Sequence, residues 1–389
     1  MIRYGFLLLL IVTLQVNAQS VGKLVRTNGK LSTLYYGWGE DRLGGAAIGY
    51  LDSGVLLKVI DSAKELYKVQ LSQFRTAFID KRSVSADTVT SRANGNGYLT
   101  ASFSAKGDSV LDYVGVAMEE RLPYQSSMQI NPSAIVVDIH GVRSNTNWVT
   151  QLSSLKEVKN VYYQQTADDI VRVTIELQHR QHWGYSIGYK GKYLVVSIRR
   201  QPPKLDLRKM TIAIDAGHGG SNTGTSGITT YQAEKNLTLL YAKELQKLLK
   251  RKGVNSIIMT RDTDTTFDNK ERILFLQQQQ PHLLISLHFN SSVNRQVRGV
   301  STYYKHIGFR PLSQNILNKM LELNLPEFGN IGHFNFALNA PTDFPNCLVE
   351  IAFLSNEEDE RRIVNPVFRA SVAKKIHAGI VDWLHALKM

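Results

Sequence analysis

Cysteine is almost absent from this chain: Cys347 is the only one among 389 residues. No intramolecular disulfide can form, so stability must come from packed cores. Apolar residues follow Cys347, which predicts a buried, inert thiol rather than a nucleophile. Long hydrophobic runs are missing too, except from Phe6 to Leu14, which is too short to span a bilayer. Met1-Ile2-Arg3-Tyr4 precedes that run and Val16-Asn17-Ala18 follows it. Residues 1–18 therefore read as a secretory signal peptide cut after Ala18, leaving a mature chain with no transmembrane anchor. No cysteine follows the apolar segment, so a lipid-anchored mature end is not expected. Long basic blocks and interleaved basic and aromatic residues are lacking as well, although the formal net charge is +13. Together with export, this argues against nucleic acid as a partner. A basic surface suits anionic envelope polymers, or serves solubility alone. An apolar share of 43% excludes disorder for the chain as a whole.

What is present divides into three parts. Residues 20–85 read as an all-β unit, with strands at 55–60, 66–71 and 76–79 separated by turns at Gly44-Gly45 and Asp52-Ser53-Gly54. Residues 86–97 are polar and carry two glycines, as a linker does. Strands resume over 98–200, at 134–139, 158–163, 170–177 and 193–198. Within 170–177, Val171, Val173, Ile175 and Leu177 alternate with polar residues, as on a half-exposed antiparallel strand. His179 and His182 lack a third partner and are expected at the surface. Pro202-Pro203 ends this region. Over 205–389 strands alternate with helices at 234–252, 268–280, about 311–323 and 368–387, which predicts a mostly parallel sheet flanked by helices. The fold class is thus multidomain, with two N-terminal all-β domains before an α/β domain.

The third part carries the chemistry. Ile212-Ala213-Ile214-Asp215 reads as a buried strand running into Ala216-Gly217-His218-Gly219-Gly220, a turn whose glycines allow close backbone approach to whatever His218 holds. A strand end before a tight loop is where open α/β sheets place ligands. Glu234 opens an amphipathic helix, and His288 ends the strand Leu283–Leu287. Glu350 lies inside the apolar run Cys347–Leu354, where a carboxylate is costly unless a cation or hydrogen bonds meet it. Two imidazoles and one carboxylate make a catalytic zinc set with a position left for water, and a spare carboxylate is the expected general base.

At these residues the chain resembles the zinc-dependent N-acetylmuramoyl-L-alanine amidases. The likeness rests on Asp215-Ala216-Gly217-His218-Gly219-Gly220, Glu234, Thr260-Arg261-Asp262-Thr263-Asp264, Ser286-Leu287-His288-Phe289-Asn290 and Val349 to Asn356, in the family's order over roughly 209–388. The resemblance implies one Zn2+ per chain held by His218, Glu234 and His288, with Glu350 as catalytic carboxylate. It implies hydrolysis of the amide joining N-acetylmuramic acid to the L-alanine of the stem peptide. Asn222-Thr223-Gly224 stands where the family commonly has Asp-Pro-Gly, which puts only the rim of the site in question. Residues 20–85 resemble bacterial SH3-like barrels and 98–200 an AMIN domain. That implies peptidoglycan as partner and a periplasmic or wall-associated location, with residues 20–200 targeting the enzyme and adding little to the chemistry.

Alternatives with the same residues are a zinc peptidase acting on stem peptides and a non-catalytic wall-binding protein. Asp215 either orients a ligand or caps the turn, with the turn favoured, and Arg272 and Asn290 fall at motif positions without a readable role. The remaining histidines have no spacing that recommends them. Between His288 and Glu350 the sequence leaves no room for a long inhibitory helix, because turns at 326–330 and 341–343 interrupt it. An open site is expected; whether the 324–346 loop folds over the metal stays undecided, as does any activating partner.

Overall fold

The computed structural model describes residues 22–39, 44–87 and 97–388. The expected signal segment and most of the 86–97 linker lie outside them. The first unit is a seven-stranded antiparallel sheet, in the order Ala47–Leu51, Ser32–Tyr35, Arg75–Asp80, Leu66–Ser72, Leu56–Ala63, Leu24–Thr27 and Val84–Ala86. Short alternating segments build it: Leu34, Leu57, Val59, Val69 and Ile79 point inward while their polar neighbours face out. The sequence reading finds three of these strands and overlooks the shorter ones.

Two sheets make the second unit. One runs Tyr124–Ile130, Ser133–His140, Ile170–Leu177, Val158–Ala167; the other contains Val142–Ser144, Tyr98–Gly107, Leu111–Met118, Tyr193–Arg199, Tyr185–Lys190 and Val149–Gln151. Inward residues of both, such as Phe103, Val116, Val137 and Val173, join Val25, Leu57 and Val69 of the first unit in one continuous core. The two β units are therefore fused by burial and do not hang as separate beads.

In the third unit the strands are β1 (Thr211–Ala216), β2 (Ser256–Met259), β3 (Leu283–Asn290), β4 (Val300–Tyr304), β5 (Glu327–Gly332) and β6 (Asn346–Phe353). Helices are α1 (Glu234–Arg251), α2 (Asn269–Gln279), α3 (Arg310–Leu321), α4 (Glu357–Ile363) and α5 (Pro366–Ala386). The sheet order is β2-β1-β3-β6-β4-β5. β2, β1, β3 and β6 are mutually parallel, whereas β4 runs antiparallel to β6 and β5 follows β4. The sheet is thus mixed, yet four of its five strand pairings are parallel, and the β4–β6 pair is the antiparallel one. β5 occupies the stretch read as a turn at 326–330: its residues are exposed or only partly buried, and an edge strand of this kind lacks the apolar alternation that reveals a strand. α1, α3 and α5 cover one face through Leu245, Ile316 and Ile376; α2 covers the other through Leu276 against Ala213 and Leu284. Helix ends follow their sequence signals. Asp268 and Glu271 form a capping box before α2, and Gly253 after α1 adopts φ +81°.

Pro202-Pro203 marks a boundary along the chain that is bridged in space. Trp183 of the second unit packs on Trp383 of α5 with ring centroids 5.3 Å apart. Gln181 accepts from Trp383 Nε1 at 3.0 Å and donates to the Gly308 carbonyl at 2.8 Å. His182, expected at the surface, is buried in this joint, where its ring lies under Gly308 and its Nε2 donates to the Gln129 carbonyl at 2.8 Å. No helix among the described residues is long and apolar enough to cross a membrane.

Candidate metal centre and active site

Strand register assembles the site. β1 and β3 pair with Asp215 opposite Ser286, and β3 and β6 pair with His288 opposite Glu350. Residues that face each other across parallel strands point to the same side, so His288 and Glu350 emerge together at the strand ends. The turn after β1 brings His218, whose backbone takes a left-handed φ of +63°. Close approach is what the glycines allow: a Cβ on Gly217 would lie 2.2 Å from the His288 ring, and one on Gly224 would lie 2.4 Å from Glu234 Oε2.

Among the described residues, His218, Glu234 and His288 are the one group of three donors that could hold a metal ion, with ligand atoms all within 4.8 Å of one another. His218 Nε2 is 3.0 Å from Glu234 Oε1, His288 Nδ1 is 3.2 Å from the same oxygen, and the two ring nitrogens are 3.2 Å apart. Three donors around one tetrahedral zinc stand roughly 3.3–3.6 Å from each other, so this set needs only slight opening to admit the ion. Glu234 is buried and its charge is compensated: Oε1 accepts from Phe289 N at 3.0 Å and Oε2 from Thr225 N at 3.0 Å. Burial works against its ionisation, but hydrogen bonds from both histidines prevail and hold the carboxyl far below its ordinary range. For His218 burial favours the neutral ring, yet the Glu234 carboxylate outweighs it and raises the pKa. Two rings and a carboxylate sharing so little space are a cation's ligands in waiting.

Outer contacts fix the ring. Asn222 Oδ1 accepts from His218 Nδ1 at 2.9 Å and from Gly224 N at 3.2 Å, which keeps a proton on Nδ1 and makes Nε2, paired here with Glu234, the ring atom that an ion would take. The residue that departs from the family pattern is thus the one that orients His218. Asp215 reaches no histidine ring: it accepts from Thr260 Oγ1 at 2.7 Å, from Ser286 Oγ at 2.6 Å and from Arg272. Its role as a ligand-orienting group is accordingly not seen. Arg272 in turn donates to the Ala216 carbonyl at 2.9 Å and to the His218 carbonyl. Arg261 donates to the Ala216 and Gly217 carbonyls, both at 2.9 Å. The buried triad Asp215, Arg272 and Arg261 therefore clamps the turn from below. The role of Arg261 escapes a sequence reading, while Arg272 leaves one signal: it shares the buried face of α2 with Ile273 and Leu276.

Glu350 is buried on β6, with Ser301 opposite it on β4 and Tyr303 near enough for its charge to help raise the phenol pKa, second to burial. Asn290 contributes to the same group through a hydrogen bond with Tyr303. Phe336 stacks along the His288 ring at 6.5 Å, so part of the 324–346 loop does lie beside the site. His218 and His288 nonetheless keep 22% and 18% side-chain exposure, which leaves an opening to solvent. Among the described residues the one α-helix between His288 and Glu350 is α3, whose Leu312, Ile316 and Leu317 are buried in the core of the unit. Cys347 is buried, and burial pushes its thiol pKa up, as an inert side chain requires.

This geometry sits inside a matched region. Residues 212–382 match the family described as N-acetylmuramoyl-L-alanine amidase. The match spans the site and most of the third unit. Residues 108–198 match the AMIN domain. Among curated relatives, N-acetylmuramoyl-L-alanine amidase AmiC of Escherichia coli is 27% identical over 220 residues, covering 44% of this chain and 52% of its own. The protein named "Probable cell wall amidase LytH" of Staphylococcus epidermidis is 31% identical over 178 residues, covering 46% and 59%. The chain thus spans about half the length of the first of these relatives. Among solved structures, the catalytic domain of CwlV, an N-acetylmuramoyl-L-alanine amidase from Bacillus (Paenibacillus) polymyxa, is 28% identical with a TM-score of 0.44, over 45% of this chain and 98% of that one.

Proposed function

We propose that this protein is an exported, periplasmic or wall-associated peptidoglycan hydrolase that cleaves the amide between N-acetylmuramic acid and the L-alanine of the stem peptide. The observation that carries it is the meeting of His218, Glu234 and His288 within 4.8 Å, beside a buried Glu350 in register with His288, inside a region that matches the amidase family. Those three residues would hold one Zn2+, which when bound would supply a Lewis acid for the amide carbonyl and make water more acidic.

The remaining roles belong to the chain. Glu350 takes a proton from the attacking water and delivers it to the departing amine nitrogen of L-alanine, as a general base and then a general acid. Asn222 keeps His218 in the tautomer that can donate its Nε2 lone pair. The Arg261 and Arg272 guanidinium groups hold the turn so that His218 does not drift when substrate enters. The AMIN-family unit and the barrel-like first unit bring the enzyme to peptidoglycan, and no nucleic acid is involved.

Digestion of purified peptidoglycan, with products read by mass, tests this. Glycan strands stripped of whole stem peptides, with release abolished by chelator and restored by Zn2+, are expected. Shortened stem peptides still attached to the sugar would replace this reading with a peptidase.

A further inference from the structure

The loop after β5 makes one contact that the chemistry above leaves unused. Asn335 Oδ1 accepts from Ala47 N at 3.1 Å, and Asn335 Nδ2 donates to the Gly45 carbonyl at 2.9 Å. A side-chain amide carries both a donor and an acceptor, so Asn335 pairs with this backbone much as a neighbouring strand would. The backbone it grips leads into Ala47–Leu51, the outermost strand of the first unit's sheet. Lys305, just after β4, adds a third bond by donating from Nζ to the Ala47 carbonyl at 2.9 Å. Residues some 290 positions apart in sequence are thus tied at one point.

On either side of Asn335 stand two aromatic rings that reach the site. Phe334 and Phe336 are 4.5 Å apart, and both pack edge-on against Tyr303, at 5.1 and 5.0 Å. Phe336 also lies nearly parallel to His288, with an interplanar angle of 11°. The segment enters this wall through His333, whose φ of +58° is left-handed. Between β5 and the short turn at Ala337–Asn339 the segment has no regular secondary structure, so the Asn335 bonds are what fix its position against the first unit.

We infer that Asn335 is a positioning residue through which the first β unit sets the Phe334–Phe336 wall against His288, making the cleft a composite of the first and third units. The inference rests on the amidase reading for its kinetic consequence. A wall displaced by about 1 Å misaligns the bound amide, and misplacements of that size cost up to about 100-fold in rate. It also assigns the first unit a part in turnover itself, beyond delivery of the enzyme to its polymer.

Three full-length variants test it: Asn335→Ala, Asn335→Asp and Lys305→Met. Asn335→Ala should lower kcat/KM on soluble muropeptides by roughly 10–100-fold, with one zinc per chain and the thermal midpoint unchanged. Asn335→Asp keeps an acceptor for Ala47 N but loses the donor to Gly45, so its loss should be intermediate. Lys305→Met removes an independent bond to the same hairpin and should shift kcat/KM in the same direction by less. Hydrogen exchange provides a readout independent of turnover: the Ala47 amide, whose N–H Asn335 Oδ1 accepts, should lose protection in Asn335→Ala. Unchanged exchange there, or kcat/KM within twofold of wild type in Asn335→Ala, overturns the inference. So does a loss in Asn335→Ala that tracks lost zinc. A wild-type protein without amidase turnover sinks the functional reading instead, and the exchange result still decides this one.

Discussion

Replacing Asp215 by Asn should damage this protein more than any substitution at its surface, although Asp215 touches no substrate. Asp215 is 1% exposed and Arg272 2% exposed, and their side chains are joined directly. Breaking a buried pair by neutralising one partner typically costs about 3–5 kcal/mol, because the other charge stays buried without its counterion. The Asn amide would also present an N–H to Ser286 or Thr260, whose hydroxyls donate to Asp215 now. For a unit of this size about 3–5 kcal/mol corresponds to a fall of roughly 6–20 °C in thermal midpoint. Because Arg272 also supports the Ala216 and His218 carbonyls, zinc affinity should fall with it, by about 10–100-fold.

The pH dependence follows from the same contacts. Burial works against charge on Asp215, but Arg272 and the hydroxyl donors outweigh it and hold the carboxyl below its ordinary range. A carboxyl depressed in the folded state stabilises the fold above the unfolded value of about 3.9, and loses that contribution as pH falls through the folded pKa. The gap between wild type and Asp215→Asn should therefore stay constant across neutral pH and close only in acid below about pH 4. Calorimetry on both proteins at several pH values, with zinc titrations in parallel, measures all three quantities. Midpoints within about 2 °C of each other at neutral pH would refute the claim that this pair holds the turn.

Glu350→Gln should retain zinc and lose about 100-fold or more in kcat, read by muropeptide turnover alongside metal analysis; full zinc loss in that variant would move Glu350 into the ligand set. Asn222→Ala frees His218 Nδ1, and competition against a chelator should show zinc held about 10–100-fold more weakly. Trp183→Ala should cost about 3–5 kcal/mol in denaturant unfolding, because it opens a cavity against Trp383. An equal midpoint in that variant would mean that the second and third units are not energetically joined.

The site is legible in the sequence because its residue types stand where packing alone would not put them. A carboxylate inside Cys347–Leu354 has few reasons to exist without a function, and His218 sits in a glycine turn that a mere surface histidine does not need. Strand register then does what no linear reading can: it sets His288 beside Glu350 across two strands that are far apart in the chain. Elements with strong period are the most legible: α1 ends within a residue of its expected end, and β3 starts at Leu283 as expected and runs three residues further, to Asn290. Partly buried edge strands such as β5, and the short strands of the first unit, carry too little apolar contrast. The roles of Arg261 and Asn222 stay hidden because they are bonds to backbone and to a ring, which leave no pattern in sequence. The joints between units are hidden for a different reason. His182 looks like a surface residue, and Trp183 gives no signal, until the 307–309 turn and α5 cover them. Asn335 likewise gives no sign in sequence that it touches the first unit, so the expectation that residues 20–200 stand apart from the chemistry meets a direct contact there.

The tryptophan contact also has a bearing on how the chain reaches its native state. Gln181 and Trp383 are separated by 202 positions, so the surface around Trp183 is made long before its cover exists. During synthesis the second unit must wait with an indole ring and a buried-type histidine exposed to water. Surfaces of that sort invite aggregation or capture by chaperones. The order of events is thereby imposed: the two β units can form their shared core early, but their last face closes only when α5 arrives and docks. A chain interrupted before Trp383 would present that face permanently, and quality-control proteases would meet a sticky fragment instead of a smaller enzyme.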